Sequence, residues 1–473
     1  MDEAGGSAHD DNFRDSIATI SKEGKRNWIY ALQPKGRLYT ARSILSIFYL
    51  IVFFSLPFIK VNGGPLFLFN ILERRFILFG VKFWPQDFFI FGIGMLVFIV
   101  FVVLFTVVFG RVFCGWICPQ TIFMEMVFRR VEYWIEGNAA DQKRLNKMPY
   151  NGEKILKKGS KHILFLIIAF IIANTFLSYI IGTTELFKII NEPLSMHTGG
   201  FISILIFTGV FYGVYAWFRE QVCLIACPYG RLQGVMTDKN TILVAYDYKR
   251  GEQREKYKKE KSAGAGDCID CFQCVKVCPV GIDIRNGTQL ECTNCTACMD
   301  VCDDIMIKTG QEKGLIRYAS ENGIAKQQKL RITPRIIAYS CVQFVLIGLL
   351  VLLLATRKDI NTTILRTPGM LFQEQPGNAI SNLYNIKMIN KSPEDMAITL
   401  KLESGHGIIQ MVGKNVVASK ESKTESEFFI ILPRSEITER KTSLEVGIYS
   451  GDKKLETVKT TFLGPVKLKK KPV

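Results

Sequence analysis

Long apolar stretches alternate with strongly charged segments along this chain. Each of the five longest stretches approaches the roughly 20 residues that a helix needs to cross a bilayer. They are Ser43 to Ile59, Phe88 to Phe109, Ile163 to Ile181, Phe201 to Phe218, and Ile336 to Ala355. The first is the shortest and contains Pro57, so a buried core helix is an alternative for it. The pattern predicts an α-helical membrane bundle of five spans.

After the fifth stretch the apolar residues change to an alternating pattern, which is typical of β-strands. Five short segments show it: Leu383 to Ile389, Met396 to Leu402, Glu427 to Leu432, Ser443 to Tyr449, and Leu455 to Phe462. Gly451 and Asp452 predict a hairpin turn between the last two. About a hundred residues of such strands indicate an immunoglobulin-like β-sandwich. The segment has no cysteine and no catalytic constellation, so we interpret it as a docking or covering domain.

Lysine and arginine are concentrated on one side of the predicted spans. The tail up to Arg42 carries seven and the connection from Arg111 to Lys161 carries ten, whereas Lys60 to Asp87 carries four and Thr183 to Gly200 one. Basic residues mark the cytoplasmic side of a membrane protein. We therefore expect a cytoplasmic N-terminus, a cytoplasmic segment between the fourth and fifth spans, and a periplasmic β-domain.

The formal net charge is +17, and much of it belongs to the predicted inner face, including the run from Lys249 to Lys261. Such a run beside a membrane binds anionic lipid, so membrane lipid is an expected partner. No recognition module accompanies the run, so no nucleic-acid partner is expected. The chain also lacks a dinucleotide fingerprint and paired histidines in its spans, which argues against nucleotide and haem cofactors.

Eight of the thirteen cysteines form two runs with the same spacing. This is the pattern of two-cluster ferredoxins, in which the fourth cysteine of each run binds the other cluster. One predicted [4Fe-4S] cluster is bound by Cys268, Cys271, Cys274 and Cys302, and the other by Cys278, Cys292, Cys295 and Cys298. Zinc sites pair C-x-x-C with a distant second pair, which does not fit. The runs therefore predict an electron carrier. Asp303 follows Cys302 where the ferredoxin pattern has proline.

Two copies of C-x-x-x-C-P follow the second and fourth spans, so the two hairpins form an internal repeat. The copies are Cys114, Cys118-Pro119 and Cys223, Cys227-Pro228. Residues four apart share a helix face, and a proline fits the first turn of a new helix. The positive end of that helix lowers the pKa of a nearby thiol, so we expect thiolates near neutral pH at Cys118 and Cys227. The four cysteines then suit a soft metal, either copper(I) or an iron-sulfur centre.

These patterns divide the chain into five parts. They are an N-terminal tail (1–42), a four-span membrane domain with both C-x-x-x-C-P motifs (43–235), a ferredoxin-like domain with two clusters (236–334), the fifth transmembrane helix (335–356) and an immunoglobulin-like domain (357–473).

The order of these elements resembles the cytochrome c oxidase accessory proteins of the FixG/CcoG type over nearly the whole chain from Trp28. Two runs of the β-domain, Arg366 to Gly369 and Asn382 to Asn385, add to the resemblance. It implies a bacterial cytoplasmic membrane protein that helps to assemble the cbb(3)-type haem-copper oxidase by reducing copper(II) to copper(I). The implied partners are assembly factors or subunits of that oxidase and an unknown electron donor. On this view the catalytic, copper-handling residues are Cys114, Cys118, Cys223 and Cys227.

Two other functions stay open. One is a quinol-oxidising membrane electron-transfer subunit, similar to the iron-sulfur proteins beside periplasmic nitrate reductases, although the large β-domain speaks against it. The other is a non-enzymatic assembly scaffold in which the clusters sense redox state and the β-domain binds an oxidase subunit.

Overall fold

The computed structural model describes residues 19–20, 23, 25–61, 64–71, 75–84, 87–193, 195–258, 262, 264–327, 333–392, 394–413, 416–420, 422–437 and 439–465. Residues 259–261 of the basic run lie outside this description. The chain forms two compact units, Met1–Leu350 and Val351–Val473, which we describe separately.

The first hairpin begins with α1, Arg37–Ser55, which starts before the predicted Ser43. Pro57 lies in the 3₁₀ turn that follows, where its missing N–H is tolerated. Short antiparallel strands that the sequence pattern did not indicate lead into the second helix. The elements are β1 Lys60–Val61, β2 Gly64–Pro65, β3 Phe67–Asn70, β4 Arg75–Leu78, β5 Val81–Phe83 and α2 Phe88–Phe109.

The connection to the second hairpin is mostly helical and carries the first C-x-x-x-C-P motif. Its elements are α3 Val112–Trp116, α4 Pro119–Ile122, a π-helical segment Phe123–Phe128, α5 Arg129–Glu136 and α6 Ala139–Lys147. The side chain of Asn138 caps α6 by accepting a hydrogen bond from the amide of Ala139.

In the second hairpin, the predicted apolar span from Ile163 is the later part of a longer helix. That helix begins after Asn151, whose side chain accepts a hydrogen bond of 2.9 Å from the amide of Lys154. The elements are α7 Gly152–Ile181, α8 Thr183–Asn191, α9 Thr198–Gly213, π-helical segments Val214–Phe218 and Val222–Ala226, and α10 Pro228–Met236. The helices of the bundle pack around a buried aromatic core that includes Phe128, Phe165 and Tyr215.

The ferredoxin-like block is a small, mostly irregular unit closed by one two-stranded antiparallel sheet. Its elements are β6 Leu243–Tyr246, α11 Tyr248–Gly251, α12 Gln273–Lys276, a 3₁₀ turn Ile284–Asn286, α13 Ala297–Lys308, β7 Ile316–Ala319 and α14 Glu321–Lys326. Its core combines aliphatic side chains with the cysteines themselves. The fifth long helix, α15, spans Pro334–Ala355.

Within the described residues, five helices are long and apolar enough to cross a membrane, as the sequence predicts. They are α1 with its 3₁₀ extension, α2, α7, α9 with its π-helical extension, and α15. Many of their large apolar side chains are exposed, for example Phe98 and Phe344, which is the arrangement expected of surfaces that face lipid.

The C-terminal unit is a two-sheet sandwich, and the predicted fold is confirmed. Its strands are β8 Ile360–Arg366, β9 Gln373–Gln375, β10 Ala379–Asn390, β11 Met396–Leu402, β12 Ile408–Met411, β13 Val416–Ala418, β14 Lys423–Pro433, β15 Lys441–Ser450 and β16 Lys453–Leu463. One sheet has the order β12-β14-β10-β8 with β9 beside β10, and the other has the order β13-β11-β15-β16. Tyr384 stacks on Phe428 in the core, and its hydroxyl donates to the carbonyl of Thr461 in the other sheet. Gly451, at φ +57°, forms the predicted hairpin turn.

Candidate functional site

The two cysteine runs of the ferredoxin-like block fold into loops with the same backbone conformation. Asp270 and Phe272 flank Cys271 with φ of 50° and 55°, and Asn294 and Thr296 flank Cys295 with φ of 54° and 66°. Left-handed residues of this kind turn successive backbone amides into a concave nest, which is a common cradle for iron-sulfur clusters. The equal spacing in sequence is therefore matched by an equal local shape.

The eight cysteines gather into two tetrads. Cys302 lies within electrostatic range of Cys268, Cys271 and Cys274. Cys278 lies within range of Cys292 and Cys295, and these two also surround Cys298. The neighbours are thus those of the crossed pattern, and the chain brings together the ligands predicted for each cluster.

Several of the ferredoxin thiols are buried and are not suited to be free thiolates. Burial raises the pKa of Cys292 to about 11 and that of Cys274 and Cys302 to about 12. A cavity at the second tetrad is lined by Cys278, Cys292, Cys295 and Cys298. Four thiols around an apolar cavity form the donor set that binds a [4Fe-4S] cluster, which supplies single electrons when bound.

The chain takes a different conformation after Cys302, where the proline is missing, than after Cys278, where it is present. Pro279 follows Cys278 just after α12 ends, whereas α13 continues from Cys302 through Asp303 to Lys308. The carboxylate of Asp303 accepts a hydrogen bond of 2.9 Å from the amide of Gly314. Cys302 is therefore held in the middle of a helix whose following turn is tied to the next loop.

The two C-x-x-x-C-P motifs also repeat in structure. The amide of Cys118 bonds to the carbonyl of Phe113 at 2.9 Å, and the amide of Cys227 bonds to that of Val222 at 2.8 Å. Each second cysteine precedes a proline in the first turn of a new helix, as predicted. Four residues before each first cysteine the chain takes the same left-handed conformation, at Gly110 (φ 53°, ψ −125°) and at Arg219 (φ 53°, ψ −122°).

The four motif cysteines converge on one place at one end of the bundle. Each of them lies within electrostatic range of the other three: Cys114, Cys118, Cys223 and Cys227. The side-chain amide of Gln233, a fully buried residue of α10, lies 3.4 Å from the sulfur of Cys114. Two motifs far apart in sequence thus form a single tetrad, which we call the motif tetrad.

The predicted thiolate at Cys118 is not found for the metal-free side chain. Burial raises the pKa of Cys118, and the backbone amides of Gln120 and Thr121, at the start of the new helix, lower it only in part. Burial also raises the pKa of Cys114 to about 11 and that of Cys223 to about 12. At Cys118 desolvation therefore outweighs the helix end, and metal binding must displace the protons of these three thiols.

The motif tetrad and the second ferredoxin tetrad meet through direct backbone contacts. A Cβ on Gly115 would collide with the carbonyl of Thr293 and would lie 2.9 Å from that of Asn294. The guanidinium of the buried Arg111 donates to the carbonyl of Leu290, just before Cys292, and to that of Gly230 on α10. Burial raises the pKa of both Cys114 and Cys292, and the charge of Arg111 offsets part of this effect. The loop that carries Cys292 is thus in direct contact with the first motif.

A second attachment joins the ferredoxin-like block to the first membrane helix. The carboxylate of Asp300, between Cys298 and Cys302, accepts hydrogen bonds of 3.0 and 2.7 Å from the amides of Leu38 and Tyr39 at the start of α1. An acidic cap stabilises the N-terminus of a helix through its unpaired amides and its dipole. This cap explains why α1 begins at Arg37, ahead of its apolar stretch.

A layer of buried charges lies beside the motif tetrad. The two carboxylate oxygens of Glu132 accept hydrogen bonds of 2.8 and 2.9 Å from the guanidinium of Arg219. The ammonium of Lys161 lies 2.8 Å from the carboxylate of Glu136. Burial alone would raise the pKa of Glu132, but the charges of Arg219, Lys161 and Arg129 hold it below its usual value. The pair with Glu132 also anchors Arg219 in its left-handed conformation.

Sequence reasoning missed most of the residues that position these tetrads. Arg111, Asp300 and Gln233 lie close to the cysteines in sequence, but nothing in their local pattern marks their partners. Gly115 lies inside the first motif, and a glycine between two ligand cysteines is the one signal that could have indicated a close backbone approach.

Three family models match parts of the chain. A "4Fe-4S dicluster domain" matches residues 218–321, a "4Fe-4S binding domain" matches residues 91–138, and an "IG-like fold at C-terminal of FixG" matches residues 350–465. The first covers the eight ferredoxin cysteines and the second motif, and the next covers Cys114 and Cys118. The predictions of iron-sulfur clusters and of an immunoglobulin-like domain are confirmed by these matches.

Curated relatives align over most of their own length. The chain is 31% identical over 466 residues to nitrogen fixation protein FixG of Rhizobium meliloti, covering 88% of each chain. It is 33% identical over 402 residues to protein RdxA of Cereibacter sphaeroides, covering 81% of this chain and 84% of the relative. Protein RdxB of the same organism is 33% identical over 397 residues, covering 80% of this chain and 82% of the relative. These alignments confirm the resemblance drawn from the motifs.

Proposed function

Because the chain belongs to the FixG family of membrane iron-sulfur proteins that transfer electrons, we propose that it reduces copper(II) to copper(I) for the assembly of a cbb(3)-type cytochrome c oxidase. The observation that carries this proposal is the convergence of Cys114, Cys118, Cys223 and Cys227 directly beside the loop of Cys292. A four-thiol site in contact with an electron-carrying block is the arrangement that a one-electron reduction of a soft metal needs.

The reaction adds one electron to copper(II), which is the substrate. Thiolates bind copper(I) in preference to copper(II), so the motif tetrad stabilises the product. Arg111 holds the loop of Cys292 against α10 and places a positive charge between the two tetrads. Gly115 permits the closest backbone approach of the motif to that loop. These residues position the site and leave the electron supply to the clusters.

The basic inner segments support an orientation in which the N-terminus and both ferredoxin tetrads are cytoplasmic and the immunoglobulin-like domain is periplasmic. In that orientation the motif tetrad receives copper at the inner face of the cytoplasmic membrane. The proposed partners are membrane lipid, a separate electron donor, and assembly factors or subunits of the haem-copper oxidase. The β-sandwich offers the docking surface for the last of these.

The test uses anaerobically purified protein whose clusters have been reduced chemically. Added copper(II) should reoxidise the clusters and appear as copper(I) in a chelator assay. The double variant Cys118→Ser, Cys227→Ser should lose this reaction and keep its ferredoxin clusters. Cys341→Ser is the matched control, because Cys341 is exposed on α15. Equal rates in the double variant and the parent would remove the motif tetrad from the reaction.

A third iron-sulfur cluster at the motif tetrad is the second candidate. A "4Fe-4S binding domain" model covers Cys114 and Cys118. In the described parts of the chain, no group of three histidine, cysteine, aspartate or glutamate side chains is close enough to hold a single metal ion. The same is true of the ferredoxin cysteines, which are predicted to bind clusters. An iron and acid-labile sulfide assay decides between the two, because the double variant should lose iron only if the motif tetrad binds a cluster.

The two other functions, an assembly scaffold and a quinol-oxidising subunit, are expected to give different results in the same assays. A scaffold yields no copper(I) from reduced protein. A quinol-oxidising subunit without a copper function reduces its clusters with quinol and leaves copper(II) unreacted.

A further inference from the structure

A histidine and a tyrosine meet on the outer surface of the bundle, near the end that carries the motif tetrad. The ring Nδ1 of His162 on α7 and the hydroxyl of Tyr212 on α9 are 2.9 Å apart. His162 is exposed and Tyr212 is half-buried, and Ile163, the next residue on α7, is exposed and apolar. The pair therefore lies where the basic start of α7 gives way to its lipid-facing stretch, within reach of lipid-soluble molecules.

The surroundings of this pair differ from those of two other described histidines. His197 and His406 bond to the carboxylates of Glu192 and Glu436. A histidine that bonds to a phenol at a lipid boundary offers one donor and one acceptor to a molecule in the bilayer. Ionisable groups at such positions mark functional sites in membrane proteins.

A series of aromatic contacts leads from His162 to the motif tetrad. The ring centroids of His162 and Phe165 are 6.4 Å apart, those of Phe165 and Phe128 are 4.9 Å apart, and those of Phe128 and Tyr215 are 4.6 Å apart. The last three side chains are buried. Tyr215 lies within electrostatic range of Cys118 and Cys223. The lipid-facing pair and the motif tetrad are thus joined by packed protein.

The two stacked rings of this series, those of Phe128 and Tyr215, both lie on π-helical segments. Phe128 ends the segment Phe123–Phe128, and Tyr215 belongs to Val214–Phe218. π-helical turns are rare and occur often at functional sites, because the extra residue turns a side chain away from its helical direction. Here the two turns bring Phe128 and Tyr215 face to face between the pair and the cysteines, with an interplanar angle of 12°.

Acid-base groups on α5 and α7 lie within electrostatic range of His162. Lys161, beside His162, lies 2.8 Å from Glu136, and the ammonium of Lys158 lies 3.0 Å from the same carboxylate. Glu136 is almost fully buried, whereas Lys158 is about a quarter exposed, at 24%. Buried ionisable chains of this kind serve as proton relays in membrane proteins.

We propose that His162 and Tyr212 form the binding site of a lipid-soluble hydroquinone, which is the electron donor of this protein. Oxidation of one hydroquinone to the quinone releases two electrons and two protons. The protons pass to His162 and leave by way of Glu136 and Lys158. The electrons pass one at a time to the iron-sulfur block, whose two clusters accept one each. The inference rests on the proposed function only for the destination of these electrons, copper(II).

The test follows the clusters by their visible absorbance in the full-length protein in detergent, without copper. A short-chain naphthoquinol should bleach the oxidised clusters with a rate that saturates with quinol. The variants His162→Leu and Tyr212→Phe should react about tenfold more slowly, which is the loss expected from one missing hydrogen bond. His197→Leu, at the opposite end of α9, is the matched control and should react like the parent. Dithionite should reduce all four proteins equally.

The reverse reaction gives a second measurement. Dithionite-reduced protein should be reoxidised by the short-chain quinone, again more slowly in the two variants, whereas ferricyanide should reoxidise all proteins alike. Variant rates equal to those of the parent in both directions would overturn the site. Variant-dependent reoxidation without bleaching by quinol would overturn the assignment as donor. Copper reduction by dithionite-reduced protein is measured separately, so failure of the copper proposal is distinguishable from failure of this one.

Discussion

Gly115 of the first C-x-x-x-C-P motif packs against the backbone of Thr293, the residue after Cys292 in the ferredoxin-like block. No other residue type fits this contact, because any Cβ would collide with the carbonyl of Thr293. The carbonyl of Gly115 also accepts a hydrogen bond of 2.7 Å from the guanidinium of Arg42 on α1. One glycine therefore holds together the motif, the ferredoxin-like block and the first membrane helix.

Replacing Gly115 by alanine should push the loop of Cys292 away from the motif. We expect a loss of about 1–3 kcal/mol in the free energy of unfolding, the usual effect of overpacking a tight contact. The measurement is thermal unfolding in detergent, together with the rate of copper(II) reduction at equal cluster content. Gly209→Ala is the control, since a Cβ on Gly209 meets nothing within 4 Å. A Gly115→Ala protein as stable as the Gly209→Ala protein would contradict the prediction.

Replacing Asp300 by alanine should leave the amides of Leu38 and Tyr39 without their cap. The expected loss is about 0.5–2 kcal/mol of the free energy of unfolding, the range for a helix cap. Hydrogen exchange at the start of α1 should increase at the same time. Asp304→Ala is the control, because Asp304 is exposed and pairs with Lys308 one turn away. Unchanged exchange at Leu38 in the Asp300 variant would show that the cap is unimportant.

The variant Glu132→Gln should be strongly destabilised, by about 3–5 kcal/mol, because it removes the closest counter-charge of the buried Arg219 and leaves it the carboxylate of Glu220 at 3.7 Å. Thermal unfolding in detergent measures this. The same substitution at Glu153, which is exposed and pairs with Lys157, should have a much smaller effect. The two variants would be equally stable only if the buried pair contributed nothing.

The sign of the pH dependence at Glu132 follows from its lowered pKa. A carboxylate with a lowered pKa in the folded state stabilises the protein above its unfolded pKa and loses that contribution as the pH falls through the folded pKa. We therefore expect the stability difference between the parent and Glu132→Gln to shrink as the pH is lowered below the usual range for glutamate. Unfolding midpoints recorded across that range test this, and a difference that grows toward acid pH would contradict it.

Replacing Cys302 by serine should perturb the cluster of Cys268, Cys271 and Cys274 and spare the other. Iron and acid-labile sulfide should fall to about half of the parent values, since the fourth ligands cross between the runs. Anaerobic purification followed by metal and sulfide assays provides the numbers, and Cys341→Ser should keep the full content. Stoichiometric zinc without sulfide in the parent protein would be incompatible with this pattern.

The proposed orientation can be tested by reporter fusions. Alkaline phosphatase joined after Pro465 should be active, because the β-domain is expected in the periplasm, and the same reporter after Gly264 should be silent. A silent fusion after Pro465 with an active one after Gly264 would place the clusters in the periplasm and reverse the orientation.

The sequence by itself determined the features that depend on local pattern. A run of apolar residues is enough to identify a membrane helix, so all five spans were predictable, and cysteine spacing alone indicated the two clusters. In the C-terminal unit the longer β-strands were predictable from their alternating pattern, whereas β8, β9, β12 and β13 were missed. Of these, β9, β12 and β13 are too short to show a clear alternation.

Only the tertiary structure decided how these parts work together. It brought the two motifs into one tetrad, placed the loop of Cys292 against the first motif, and attached Asp300 to α1. It also reversed the expectation for Cys118, because burial by distant residues outweighs the local helix end. Contacts such as that of Gly115 with Thr293 join residues far apart along the chain, and no local pattern specifies which distant partner a residue meets.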